Sequence, residues 1–106
     1  MTSSARAFLL FPVFVAVLGK AAKPVAIELT AKLRELGVGT WQAFDRRGIK
    51  SQLREANKRG ASFAVILGQD EIEAGQATVR NMTQGDQERV PLQELTEWLR
   101  ARISQP

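Results

Sequence analysis

ASFAVILGQDEIEAGQATVRN, residues 61–81, runs from five apolar residues in succession through two glycines that bracket three acids. Phe63 to Leu67 do not alternate with polar residues. A strand reads that way when both of its faces are covered, the usual state of a strand in a parallel sheet. SFAVILG is therefore one buried strand, and Gln76 to Met82 is the next. Between Gly68 and Gly75 the sequence predicts a turn that carries Asp70, Glu71 and Glu73.

Working outward from this stretch, Ile49, Leu53 and Ala56 form the buried stripe of a helix that stops at Gly60, and VGTWQAF (38–44) is a short strand before it. Further upstream, Pro24 fits a first helical turn, and Val25, Leu29, Leu33 and Leu36 follow at helical spacing up to Gly37. Residues 11–18 are a second continuously apolar strand, ended by Gly19. Downstream, a turn at TQGDQ leads into ERVPL, a short antiparallel strand, and Leu92, Leu95, Leu99 and Ile103 line a helix that begins at Pro91. The order is β-α-β-α-β-β-β-α. Short connections between the first three strands imply right-handed parallel crossovers, so the expected fold is α/β: a mixed five-stranded sheet flanked by three helices. The 106 residues make one domain, with a core from about 13 to 103 and residues 1–10 as an N-terminal extension.

Composition narrows the chemistry. There is no cysteine and no histidine, which excludes disulfides and thiolate metal sites and removes the commonest general base and metal ligand. Net charge is +4, yet residues 46–59 alone hold six cations (Arg46, Arg47, Lys50, Arg54, Lys58, Arg59) and one acid, a local +5. The rest of the chain is about −1, so the basicity sits in one place and suits a polyanion. The stretch ARAFLLFPVFVAVLGKAA has the outline of a secretory signal. Pro12 interrupts its apolar run, Lys20 stands where cleavage needs small neutral residues, and FVAVL is rich in strand formers. The run is read as the first strand of a cytoplasmic protein and is too short to span a bilayer.

In a sheet of this kind ligands gather beyond the carboxyl ends of the parallel strands. Those ends are Gly19–Lys20, Phe44 to Arg47, and Gly68 to Glu71, so the acidic turn and the basic cluster share one rim. No P-loop or GxGxxG spacing is present. Arg46, Lys50 and Arg54 recur every four residues, a like-charge stripe that is unfavourable unless an anion relieves it. A turn between glycines buries its acids too little for paired acid–base catalysis, and DEIEAG is too short for a calcium loop. A carboxylate beside an arginine has another use, as a fixed acceptor and donor that read the edge of an unstacked base. Asp70 and Glu73 are expected to be turn and surface residues. Trp41 and Phe44 are core residues or, alternatively, stacking platforms for a base; Trp98 lies off the leucine stripe and is a candidate interface residue.

The blocks VFVAVLG, LTAKLRELGV, IKSQLREANKRGASFAVILGQDEIEAG, ATVRNMTQGDQERVP and LQELTEWL, in this order, resemble the C-terminal anticodon-binding domain of class IIa aminoacyl-tRNA synthetases, most of all that of histidyl-tRNA synthetases. The resemblance covers residues 13 to about 100. It implies docking on the anticodon stem-loop of a tRNA, with Glu71 and Arg80 contacting anticodon bases and Arg46, Arg47, Lys50 and Arg54 near the loop. Gln52 matches a characteristic position whose task the sequence does not give. Val17 replaces a usual proline, and Arg46 a usual glycine, which adds a cation at the rim. The class II catalytic core is missing, so the chain alone is expected to hold no ATP site, cofactor or metal and to catalyse nothing. The expected partner is tRNA, with a synthetase catalytic core or another protein as a further partner, no membrane, and an oligomeric state left open. The alternative is a protein-interaction module that keeps the fold without binding RNA.

Overall fold

The computed structural model describes residues 11–43 and 48–103. Its elements are β1 (Val13–Val17), α1 (Lys23–Glu35), β2 (Thr40–Gln42), α2 (Ile49–Lys58), β3 (Phe63–Leu67), α3 (Gln69–Ala74), β4 (Gln76–Asn81), β5 (Gln87–Pro91) and α4 (Leu95–Ile103). Single 3-10 turns, Lys20–Ala22 and Leu92–Glu94, lead into α1 and α4. The five strands form one sheet in the order β2-β1-β3-β4-β5. β1 runs parallel to β2 and β3, while β3–β4 and β4–β5 are antiparallel. The mixed sheet and the three longer helices agree with the sequence reading.

One element differs. The acidic segment, expected as a turn, is the short helix α3. Six residues fall below the length at which apolar periodicity reveals a helix. What holds α3 is local: Asp70 and Glu71 sit in its first turn, where the helix dipole favours negative charge, and Gly75 ends it at φ 69° in the left-handed region.

Successive side chains point to opposite faces of the sheet, and each face builds its own core. Val13, Val15, Val65, Leu67, Val79 and Val90 pack against Leu29 and Leu33 of α1 and Leu95 and Leu99 of α4. Phe14, Ala16, Ala64 and Ile66 pack on the other face with Ala56 of α2, joined by the partly buried Ile49, Leu53 and Met82. The signal-like run of the sequence thus contains β1, buried from Val13 to Ala16 and half-buried at Val17, and flanked by strands on both edges; residues 1–10 lie outside the described residues.

Gln52 ties α2 to this frame. β2 stops at Gln42, opposite Val15, and the Ala43 N–H donates to the Val15 carbonyl at 3.0 Å. One rung further, the Val17 N–H donates to Gln52 Oε1 and Gln52 Nε2 donates to the Val17 carbonyl, both at 2.9 Å. The side-chain amide, 0% exposed, continues the ladder where β2 runs out. The start of α2 is thereby pinned to the carboxyl end of β1.

Candidate nucleic-acid interface

On the face that α2 shares, the sheet divides into a covered half and a polar half. α2 lies over β1 and β3 through the second core. On β4 and β5 the same face carries Thr78 opposite Arg89 and Arg80 opposite Gln87, while Ala77, Val79 and Val90 point to the first core. Gln87 and Arg89 are exposed, and Arg80 is half-buried, its Nη1 donating to Gln87 Oε1 at 3.3 Å. Beside this surface α2 buries Gln52 and Ala56 and exposes Lys50, Arg54 and Lys58, which recur every four residues. The like-charge stripe therefore extends one turn further along the helix than Arg54. Arg59 is engaged elsewhere, 2.6 Å from Glu55 and stacked 3.6 Å over the Trp41 ring.

Glu71 reaches this surface from α3. Glycine has no side chain, so Gly68 permits only half of a capping box: its N–H donates to Glu71 Oε1 at 3.0 Å. Thr78 Oγ1 donates to the other oxygen, Oε2, at 2.9 Å, and Arg89 Nη2 lies 3.8 Å from it. Two hydrogen bonds therefore fix the carboxylate, whose side chain is 13% exposed. A Cβ on Gly68 would stand 3.0 Å from Glu71 Oε1, so a larger residue there would push the carboxylate off its position by a few tenths of an ångström. Asp70 and Glu73 are exposed, and Glu73 accepts from Gln69 Nε2 at 3.0 Å. Among the described residues no group of three such acids gathers as a metal site.

The helix of Lys50 and Arg54 is tied near its start to the carboxyl end of β1, and that of Glu71 follows directly on the carboxyl end of the neighbouring β3. Arg80 lies two residues further along β4 than Thr78, about 7 Å at strand rise. Among the described residues the ion partner of Glu71 is Arg89, not Arg80. Arg46, Arg47 and Phe44 lie outside the described residues. Trp41 is half-buried, edge-on to Phe11 at 5.6 Å between ring centroids. Trp98 packs edge-on to Phe63 at 5.7 Å, under the Arg102 guanidinium at 3.7 Å. They line an open groove of about 340 Å³ with Asn81 and Glu88, at the first-core face. The sequence reading missed Thr78, Gln87 and Arg89. Period-two alternation around Val79 and Val90 contains the signal for all three, since it sets them on the face opposite those valines.

A family model described as the anticodon binding domain matches residues 12–102. A histidine–tRNA ligase of Dehalococcoides mccartyi (strain 195) is 45% identical over 83 residues, 78% of this chain and 20% of that protein. One from Symbiobacterium thermophilum is 42% identical over 88 residues, 83% of this chain and 20% of its own length. In solved structures, the apo histidyl-tRNA synthetase of S. aureus superposes with a TM-score of 0.78 at 31% identity, covering 85% of this chain and 23% of that one. The synthetase of Nostoc sp. PCC 7120 gives a TM-score of 0.82 at 27% identity, covering 90% and 23%. The chain thus spans about a fifth of the length of the curated relatives it matches. With the family model matched across nearly all of its length, this chain belongs to the anticodon-binding domain family, as found in histidyl-tRNA synthetases.

Proposed function

We propose that this chain binds the anticodon stem-loop of a tRNA, that of the histidine acceptor in the first place. The observation that carries the reading is the polar half-face of β4 and β5, where a fixed carboxylate, Glu71, and the donor fork of Arg80 lie beside the cationic stripe of α2. Lys50 and Arg54, with Arg46 and Arg47 ahead of them, supply phosphate contacts that set affinity and its salt dependence. Glu71 and Arg80 read base edges of the splayed loop, the part of an RNA whose edges a protein reaches. The relatives' membership supports tRNA as the partner. The chain does not aminoacylate by itself; a class II catalytic core, in the same longer protein or in a partner, supplies that chemistry, in the cytoplasm.

Titration of a panel of tRNA transcripts at two salt concentrations tests this. The histidine acceptor is expected to bind more tightly than the same tRNA with a swapped anticodon, and both bind less tightly as salt rises. Equal affinity for the two sinks the specificity claim. A second reading, a protein-docking module, draws on the Trp98 groove. A captured protein partner together with no RNA shift at low salt would favour it.

A further inference from the structure

The acceptor–donor pair that the geometry makes is Glu71 with Arg89. We propose that Arg89 is a specificity residue of the RNA-binding surface, reading with Glu71 one base edge of the loop; this rests on the anticodon-loop reading above. The carboxylate is held from two sides, by the Gly68 N–H at 3.0 Å and the Thr78 hydroxyl at 2.9 Å. Each carboxylate oxygen accepts more than one hydrogen bond, so acceptor capacity remains at a position the protein has already fixed. Arg89 approaches to 3.8 Å, which is an ion pair but too long for a hydrogen bond. The donors of its guanidinium are therefore not used up by Glu71. With 48% of its side chain exposed it faces solvent from β5, on the same face as Arg80 and diagonally across the ladder from it.

A ligand that meets an acceptor and a donor side by side is matched when it presents a donor and an acceptor side by side, as the hydrogen-bonding edge of a nucleobase does. A phosphate offers acceptors only and is repelled by Glu71. The local charges thus favour a base over the backbone at Arg89, and leave phosphate to the cations of α2, which have no acid among them on the exposed stripe Lys50, Arg54, Lys58. Arg80 with Gln87 then forms a second donor–acceptor pair one step along the strands.

The test is titration of the full chain and of Arg89→Gln and Arg89→Lys with two synthetic stem-loops, one bearing the histidine anticodon and one a swapped anticodon, at several salt concentrations. Both variants are expected to lower the preference for the histidine stem-loop by about 5- to 150-fold with the salt slope unchanged, lysine failing because it lacks the planar fork. An equal loss for both RNAs with a shallower slope would make Arg89 a phosphate contact and overturn the proposal. Unchanged binding would overturn it as well, whatever the melting temperature does. If the unsubstituted chain does not distinguish the two stem-loops, the anticodon reading itself fails and takes this one with it.

Discussion

The side chain of Gln52 connects fold to function through a single backbone residue. Its amide gives Val17 both of its hydrogen bonds on the β2 side, and no water reaches the fully buried side chain. Gln52→Met keeps the volume but leaves the Val17 N–H and carbonyl without those partners. The expected cost is about 2–4 kcal/mol, from two unsatisfied groups at about 1–3 kcal/mol each with partial relief by solvent. In urea the midpoint should fall with an unchanged slope, the sign that stability and not the unfolded state has changed. The sequence marks Gln52 by position only. Its partner lies 35 residues away, and the register of β1 against β2, which leaves Val17 without a strand partner on that side, is a tertiary property.

At the level of elements, α2 carries a conflict between stability and binding. Lys50, Arg54 and Lys58 repel one another along its exposed face, whereas Glu55 and Arg59 form the favourable pair at 2.6 Å. Arg54→Gln relieves both like-charge pairs and is expected to raise stability by a few tenths of a kcal/mol, seen as a higher urea midpoint. The same change should weaken every RNA alike and reduce the salt slope by the share of one phosphate. Improved RNA binding would remove the stripe from the interface. The strands and long helices were legible because their apolar patterns repeat over several residues. α3 was not, since a six-residue helix held by Gly68, Glu71 and Gly75 leaves no period to read. The pairing of Glu71 with Arg89 was hidden for the same reason: it depends on α3 forming and on the β4–β5 register that sets Arg89 opposite Thr78.

For the molecule as a whole, the two cores are not separable. Val13, Phe14, Val15 and Ala16 alternate between them along one central strand, and Ala64 to Leu67 do the same on β3. Loss of either core removes the partners that hold these strands for the other, so a single cooperative thermal transition is expected. An RNA that binds only the folded chain then adds stability by mass action. At about 100 times its dissociation constant the gain is about 2.7 kcal/mol, which for a domain of this size raises the melting temperature by on the order of 10 °C. A swapped anticodon that weakens binding tenfold forfeits about 1.4 kcal/mol at the same concentration, roughly half of that shift. Measured by the intrinsic fluorescence of Trp41 and Trp98, which stand on opposite faces of the sheet, the histidine stem-loop should therefore give the larger shift, with both tryptophans following one curve. Added salt should shrink the shift for both RNAs, because the phosphate contacts of α2 weaken with ionic strength while the fold does not depend on them. Equal shifts for the two RNAs would remove the anticodon from the recognition, and two separate transitions would show that the cores on the two faces of the sheet fold independently.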